Sequence, residues 1–204
     1  MILSAITFGY TNLPIFHRWS YRFSAKTTVV MGPTGCGKTT LFRLLTGLET
    51  PVSGTIIRPD RFGMVFQEDV YLPYTAEKDI WIVTGANGKR IRSLLKELGI
   101  DPQQSIHSMS GGMKRKVAIA RCLLHDAPWL LMDEPFRGLD EQSRKTVIAV
   151  IRREQKDRQL LLATHRIQDA EDLCANILTL RAGINEGGTD GKGHAGPKAG
   201  CEDL

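Results

Sequence analysis

Long apolar runs and closely spaced cysteines are the features that this sequence most clearly lacks. No apolar run approaches the ~20 residues that cross a bilayer, so the sequence predicts no membrane-spanning helix. The four cysteines include no CxxC pair and no metal-ligand spacing. The first residues, Met1–Ser4, lack the basic start and long apolar segment of a secretory signal, so we expect a cytoplasmic protein.

The chain also carries little excess charge. Its net charge of +5 and isoelectric point near 9.1 would suit nucleic acid or an anionic membrane surface. Such values are common among soluble proteins, so we expect no nucleic-acid partner. With 204 residues, 42% of them apolar, the chain is large enough for one domain with a buried core.

The C-terminal residues 183–204 lack any pattern of apolar residues. They contain seven glycines and no aromatic side chain. A segment of this composition buries too little apolar surface to offset the entropy lost on ordering. We therefore predict a folded domain over residues 1–182 and a disordered, glycine-rich tail over residues 183–204.

A glycine-rich loop at residues 32–39 is the strongest motif that the sequence does contain. It fits the pattern G-x-x-x-x-G-K-[ST] between a predicted strand and a predicted helix, where main-chain N–H groups surround a phosphate at a helix N-terminus. We expect the nucleotide to be contacted here by Gly32, Pro33, Thr34, Gly35, Cys36, Gly37, Lys38, Thr39 and Thr40.

Two side chains of this loop have specific predicted roles. Lys38 would reach the β- and γ-phosphates, and the Thr39 hydroxyl would bind Mg²⁺. A third, Cys36, bears on the compartment, because a disulfide there would disrupt the loop. Its presence favours a reducing compartment.

Polar residues follow three other predicted strands. Asp133 and Glu134 come directly after an apolar run, and Gln67 and His165 end two more. Ligand crevices form at the carboxyl ends of parallel strands. Paired carboxylates there suit Mg²⁺ binding by Asp133 and activation of water by Glu134. From the local pattern alone, a solvated Gln67 and a structural His165 remain alternatives.

A second glycine turn, Ser110-Gly111-Gly112, precedes a predicted helix from Lys114 to His125. A helix N-terminus opened by such a turn is a candidate anion site, and the basic residues at 114–116 would strengthen its field. The alternative is an ordinary helix N-cap with a solvated basic face.

Residues 71–125 have a helical character that interrupts the strands. Within residues 90–98, apolar side chains recur at i, i+3, i+4 and i+7, which predicts an amphipathic helix. We expect this segment to form a small helical insert. Tyr10, 22 residues before Gly32, could stack on a nucleotide base, although an isolated tyrosine is more often a core or edge-strand residue.

Taken in order, these motifs resemble the nucleotide-binding subunit of an ABC transporter over about residues 2–181. The resemblance implies an α/β, P-loop NTPase fold of ABC type, with a mostly parallel sheet core, an antiparallel edge sheet and a small helical subdomain. Residues 133–140 and Leu72-Pro73-Tyr74 are similar to importers of the nitrate, sulfonate and taurine group.

The resemblance also implies a role for each site residue. Lys38 and His165 assist hydrolysis, and Thr39, Gln67 and Asp133 form the metal set. By the resemblance, Tyr10 stacks on adenine, Gln67 senses the γ-phosphate and Glu134 is the catalytic base. Asp140 contacts the other subunit of a dimer, and His165 is the switch histidine. Ser110, Gly111 and Gly112 grip the γ-phosphate of the ATP that a second subunit holds.

By the same resemblance the cofactors are ATP and Mg²⁺, and the function is MgATP hydrolysis that drives solute import. The implied partners are a membrane permease subunit, a second ATPase subunit that forms a homodimer on ATP binding, and a substrate-binding protein. The chain would lie on the inner face of the cell membrane, held by its permease. The ATPase of an exporter and a soluble, non-transport ABC ATPase are the alternatives.

The sequence departs from the family pattern at three places, one of which is the glycine-rich tail, residues 183–204, which resembles no segment of the family. Met109 and Met113 flank the Ser-Gly-Gly turn where the family usually has Leu and Gln. The segment between Gln67 and Ser110, which usually docks on the membrane partner, is short for the family. Since the Ser-Gly-Gly core is intact, we expect activity to be retained.

Overall fold

The computed structural model describes residues 1–187, which fall into two compact units. The first unit comprises Met1–Asp60 and the described residues from Leu160 onward, and the second comprises residues 61–159. The elements of the first unit are β1 (Ile2–Phe8), β2 (Phe16–Arg22), β3 (Thr27–Met31), α1 (Lys38–Thr46), β4 (Ser53–Ile57), β7 (Gln159–Ala163), α6 (Ile167–Asp172), β8 (Asn176–Thr179) and β9 (Asn185–Glu186). Those of the second are β5 (Phe62–Val65), α2 (Ala76–Thr84), α3 (Gly88–Glu97), a 3₁₀ turn (Ile106–Ser108), α4 (Gly111–Leu124), β6 (Trp129–Asp133) and α5 (Glu141–Gln155).

Two kinds of sheet occur in the first unit. Strands β4, β1 and β2 pair antiparallel in that order, and β9 adds to the free edge of β2 in parallel. Strands β7 and β8 flank β3 in parallel, with Val29 opposite both Leu162 and Ile177. The first four residues of β3 are buried, so β3 does not alternate between buried and exposed residues, as is typical of an interior strand of a parallel sheet.

The second unit joins a parallel pair of strands to the predicted helices. Strands β5 and β6 pair in parallel, and all five residues of β6 are buried. In α3, Ile91, Leu94 and Leu95 are at most 4% exposed, so the predicted amphipathic helix is confirmed. The parallel strands, the antiparallel sheet and the helices together confirm the predicted α/β fold, with a mostly parallel sheet core and an antiparallel edge sheet.

Helices α2, α3 and α4 lie within the range predicted for the helical insert, residues 71–125. The predicted tail is corrected at its start, because Asn185 and Glu186 form β9 rather than disordered chain. They order because β2 presents an edge with which they pair, Phe16 opposite Asn185 and His17 opposite Glu186. The predicted tail beyond residue 187 lies outside the described residues.

Candidate functional site

The phosphate loop, residues 32–39, connects the buried end of β3 to the start of α1 in the first unit. Gly32 sits where a Cβ would meet the Leu180 carbonyl oxygen at 2.5 Å and Cys36 Sγ at 2.6 Å. Gly37, the N-cap of α1, has φ +104°, and a Cβ there would meet Ile15 Cγ2 at 2.6 Å. These close approaches require glycine and keep the curl of the loop tight.

Lys38 is the first residue of α1, and its ammonium group folds back over the loop. Nζ donates to the carbonyl oxygens of Gly32 at 2.7 Å and Pro33 at 3.1 Å. Thr40 is buried and Thr39 is half-buried in the same helical turn. The loop therefore brings a cation, a hydroxyl and a helix N-terminus together, which suits a polyphosphate.

Tyr10 lies in the loop after β1 and is 56% exposed. Its ring packs edge-on against Phe8, with ring centroids 5.1 Å apart. Its hydroxyl accepts a long hydrogen bond of 3.5 Å from Arg43 Nη1 on α1. An exposed aromatic held by two neighbours is available to stack on a planar base.

His165 lies in the bend between β7 and α6 and is exposed. The buried Thr164 stabilises this bend. Its hydroxyl donates to Asp169 Oδ2 at 2.5 Å and accepts from the Arg166 N–H at 3.2 Å. Sequence reasoning singled out the histidine but missed this anchor. A Thr directly before the histidine and an Asp five residues after the Thr were the available signals.

In the second unit, β6 ends at Asp133, which is 2% exposed, and Glu134 follows in a half-buried position. Glu134 has φ +50°, a left-handed conformation that is uncommon for a residue with a side chain. Such backbone costs on the order of 1–3 kcal/mol and is found preferentially at active sites. Of the five non-glycine residues with positive φ among residues 1–187, Glu134 is the one that was predicted to be a site residue, the catalytic base.

Ser110 caps helix α4, and its hydroxyl accepts from the Met113 N–H at 3.3 Å. Asp140 caps α5 in the same way, accepting from the Ser143 N–H at 2.7 Å and the Ser143 hydroxyl at 3.1 Å. These hydrogen bonds lower the pKa of Asp140, so the carboxylate is ionised at neutral pH. The N-cap part of the alternative interpretation is therefore confirmed, whereas Arg115 of the basic face is buried rather than solvated. Anion binding at that helix end stays a prediction.

One cavity of about 710 Å³ gathers most of the predicted residues of the second unit. We call it the signature cavity; it is lined by Gln67, Ser110, Gly111, Gly112, Arg137 and Asp140, among others. Lys114 and Lys116 also line it, and the cavity wall is therefore rich in cations. Among the described residues, Asp133 and Glu134 are not part of this lining but lie at the end of β6.

The segment that carries Gln67 is held by Arg115, a residue whose role sequence reasoning missed. Arg115 is 8% exposed. Its guanidinium donates to Asp69 Oδ2 at 2.7 Å, to the Phe66 carbonyl at 2.5 Å and to the Gln67 carbonyl at 2.8 Å. Arg115 belongs to the basic run 114–116. From the sequence we assigned the charge of this run to the anion site, whereas Arg115 forms an ion pair with Asp69.

The burial of Asp69 explains why this arginine is needed. Burial raises the pKa of Asp69, and the Arg115 guanidinium opposes that rise by favouring the carboxylate. A second arginine, Arg121, lies 3.8 Å from the other carboxylate oxygen of Asp69 and 3.4 Å from Asp79. The Gln67 segment is therefore fixed to α4, the helix that Ser110 caps.

Comparison with known families and proteins agrees with this geometry. The ABC transporter family matches residues 19–137. The thiamine import ATP-binding protein ThiQ of Escherichia coli O6:H1 is 30% identical over 205 residues, covering 89% of this chain and 88% of the relative. The aliphatic sulfonates import ATP-binding protein SsuB of Burkholderia pseudomallei is 34% identical over 166 residues, or 76% of this chain, which spans about half of that relative (51%).

Solved structures are similar in fold. A bacterial Atm1-family ABC exporter with ATP bound superposes with a TM-score of 0.79 at 26% identity, covering 90% of this chain and 37% of the exporter chain. The ATP-binding cassette MJ0796 in a dimeric, post-hydrolysis state with ADP and Pi gives a TM-score of 0.77 at 22% identity, covering 90% of this chain and 95% of the cassette.

Proposed function

Because this chain belongs to the ABC transporter family and is an ATP-binding ATPase of that family, we propose that it drives solute import through a separate membrane permease. The observation that carries this proposal is the similarity to ThiQ, an import ATP-binding protein, along 89% of the chain. The SsuB similarity, also to an import protein, supports it. It agrees with the import function that the sequence resemblance implies.

The roles that we propose for the site residues follow phosphoryl transfer to water, which needs positioning and charge neutralisation more than covalent chemistry. Lys38 exchanges its loop carbonyls for phosphate oxygens, and the N–H groups of residues 34–40 hold the remaining oxygens. Glu134 accepts the proton of the attacking water, Gln67 orients that water, and His165 donates to the γ-phosphate.

We further propose that Thr39, Gln67 and Asp133 hold Mg²⁺, which when bound neutralises charge on the phosphate oxygens. The donor set is all oxygen, as Mg²⁺ prefers. No cluster of three or more His, Cys, Asp or Glu side chains arranged for a metal occurs among residues 1–187. This fits Mg²⁺, which usually takes one or two carboxylates and completes its shell with water and nucleotide phosphates.

A second copy of the chain is the proposed partner at the signature cavity. Ser110 and Gly111 are exposed, and the cavity wall is cationic. In this proposal Ser110, Gly111 and Gly112 of one subunit grip the γ-phosphate held by the other subunit's phosphate loop, and Asp140 contacts that subunit. The dimeric MJ0796 structure supports a dimer as the assembly.

An exposed apolar face supports the membrane permease as a further partner. Trp81, Ile82 and Val83 on α2 are 56%, 45% and 45% exposed, and Val70 nearby in sequence is 80% exposed. Consecutive exposed apolar residues on one helix mark an interaction surface. No helix within residues 1–187 has the length and apolar character to span a bilayer. We propose that the permease docks here and holds the chain at the inner membrane face, with a substrate-binding protein completing the importer.

Export is the second candidate, favoured by one observation: the Atm1-family exporter superposes with a TM-score of 0.79 at 26% identity. Proteoliposomes that contain the membrane subunit that co-purifies with this chain distinguish the two. Import predicts that a solute-loaded binding protein on the face opposite ATP stimulates hydrolysis. Stimulation by solute on the ATP side alone would favour export.

The catalytic assignment is tested by Glu134→Gln, in which the amide keeps the shape but is a poor base. We expect ATP hydrolysis to fall by at least about 10²-fold, while ATP binding persists and ATP holds two chains together in size-exclusion chromatography. Glu97→Gln, on an exposed carboxylate paired with Arg153, is the matched control and should hydrolyse normally. Normal turnover in Glu134→Gln would exclude Glu134 as the base.

A further inference from the structure

Asn185 is a buried amide in the segment that was predicted to be a disordered tail. It is 7% exposed and lies in β9. Its Nδ2 donates to the carbonyl oxygens of Ile15 and Cys36, both at 3.2 Å. Its Oδ1 accepts from the Arg181 N–H at 3.0 Å, so both amide N–H donors and the oxygen are used.

One of the two carbonyl oxygens that accept from the Asn185 side chain, that of Cys36, lies inside the phosphate loop. Cys36 stands between Gly35 and Gly37, its side chain is 1% exposed, and its thiol is free. Its N–H donates to the Pro33 carbonyl at 3.3 Å within the loop. The Asn185 bond to the Cys36 carbonyl crosses 149 residues of sequence, so it is a tertiary restraint, whereas the bonds that Cys36 N–H and Lys38 donate within the loop are local.

The other acceptor, the Ile15 carbonyl, belongs to a residue whose side chain contacts Gly37, the next residue of the phosphate loop. The Ile15 carbonyl accepts from both the Asn185 backbone N–H, at 2.9 Å, and its side chain. The Ile15 side chain lies against Gly37, where a Cβ would be 2.6 Å from Ile15 Cγ2. Asn185 therefore ties the loop to the segment on which it rests.

The direction of the Cys36 bond has a consequence for anion binding. In a planar trans peptide the C=O and the following N–H point in opposite directions. When Asn185 holds the Cys36 carbonyl, it turns the N–H of Gly37 away from β9. An anion held by this loop needs main-chain N–H groups fixed in one direction, because freely rotating peptides would spend entropy on ordering.

We infer that Asn185 is a positioning residue for nucleotide binding, acting through the peptide between Cys36 and Gly37. This inference rests on the proposed nucleotide site at the phosphate loop. It assigns a function to a residue that touches no phosphate and lies in the C-terminal strand. The Cys36 carbonyl needs a hydrogen-bond donor. Neither an apolar side chain nor an ionised carboxylate of similar size supplies one, so neither can replace the Asn185 amide.

The test uses the purified full chain and the thiol of Cys36 as a reporter of loop order. Asn185→Leu removes both donors, Asn185→Ser keeps one, and Glu186→Ala changes the exposed neighbour in β9 as the matched control. Alkylation of Cys36 without nucleotide is followed by peptide mass spectrometry, with the free, buried Cys122 of the second unit as internal reference. ATP dissociation constants and KM are measured on the same proteins.

For Asn185→Leu we expect several-fold faster alkylation of Cys36 at an unchanged Cys122 rate. We also expect about tenfold weaker ATP binding, with KM raised and kcat nearly unchanged. Asn185→Ser should fall between this variant and the wild type, and Glu186→Ala should match the wild type.

Wild-type labelling and ATP affinity in both Asn185 variants, even with a lowered melting temperature, would overturn the inference. So would equal acceleration of Cys36 and Cys122, because that would mean general loosening of the fold. If the wild-type chain bound no ATP, the proposed nucleotide site would fail, whereas the labelling difference would still decide whether Asn185 holds the loop.

Discussion

The phosphate loop and the segment that carries Gln67 are held by different kinds of acceptor. In the phosphate loop, Lys38 and Asn185 donate to main-chain carbonyls only. In the Gln67 segment, Arg115 donates to two carbonyls but also forms a buried ion pair with Asp69. A carboxylate that accepted from the phosphate loop without a bound cation would repel the phosphate that the loop is built to bind, whereas the Gln67 segment can accommodate one.

This difference separates two ways of fixing a loop. Hydrogen bonds to neutral carbonyls are individually worth on the order of 1 kcal/mol and leave the local field positive. A buried ion pair is costly to form but also costly to break from one side, since the remaining charge is then stranded. The two loops should therefore respond very differently to the loss of one side chain.

The largest expected effect comes from breaking the ion pair at one end. Arg115→Met leaves Asp69, whose side chain is 1% exposed, without this guanidinium. We expect a loss of about 3–5 kcal/mol in the free energy of unfolding, measured by urea denaturation. Arg61→Met is the control, because its pair with Asp126 has side chains 62% and 93% exposed and should contribute under ~1 kcal/mol.

Restoring neutrality should recover part of that loss. The double variant Arg115→Met with Asp69→Leu removes both charges and should be more stable than Arg115→Met alone. Equal stability losses in Arg115→Met and Arg61→Met would show that burial does not distinguish the two pairs.

In the phosphate loop, added volume rather than lost charge should do the damage. Both glycines have a positive φ that disfavours a side chain, +151° at Gly32 and +80° at Gly35. Gly32→Ala also forces a Cβ to 2.5 Å from the Leu180 carbonyl, whereas at Gly35 no protein atom lies within 4 Å. We expect Gly32→Ala to lose about 1–3 kcal/mol more in the free energy of unfolding than Gly35→Ala, measured by urea denaturation. If the two variants behave alike, the close approach at Gly32 does not shape the loop.

An effect confined to nucleotide binding is expected from Tyr10, a surface residue in the loop after β1. Tyr10→Ala should weaken ATP binding by about 1–3 kcal/mol, the range for stacking of one base on an aromatic side chain. GTP should be affected similarly, because stacking reads the flat face of any base. Leu13→Ala, in the same loop and 75% exposed, should leave the titration unchanged. Unchanged ATP affinity in Tyr10→Ala would remove Tyr10 from the site.

The smallest effect concerns a carboxylate held at the surface by neutral donors, the reverse of the buried Asp69. Hydrogen bonds from Ser143 lower the pKa of Asp140 from its ordinary 3.8. The stabilising contribution of this cap is thus complete above pH 3.8 and is lost as the pH falls through the lower, folded-state pKa. An NMR titration should give a midpoint below 3.8, and Ser143→Ala should raise it; a midpoint unaffected by Ser143→Ala would contradict the assigned cause.

The features that could be predicted from the sequence are those that depend on residues close together in the chain. The phosphate loop, the Ser110 cap and the apolar spacing of α3 are all set within a few residues, and the structure contains each of them. The Arg115 bond to Gln67 spans 48 residues and the Asn185 bond to Cys36 spans 149. No local pattern identifies such a partner, because a lone Asn among glycines and one cation within a basic run are typical of solvated chain.

The ATPase assignment followed from motif order, whereas the roles of individual residues remain proposals. Gln67, Ser110 and Asp140 line one cavity, which the sequence implied only through the family resemblance. The β9 strand was missed because its two residues carry no apolar alternation of their own. Its order comes from the edge of β2, and edge pairing depends on the partner strand rather than on the added one.

The left-handed backbone of Glu134 implies a conflict between two kinds of selection. At φ +50°, glycine or asparagine would fit this position with less strain than glutamate. A library of variants sorted only for folded, abundant protein would therefore drift away from glutamate at this position. A library sorted for growth that depends on ATP turnover would retain glutamate at this position. Stability and activity therefore select for different side chains at residue 134.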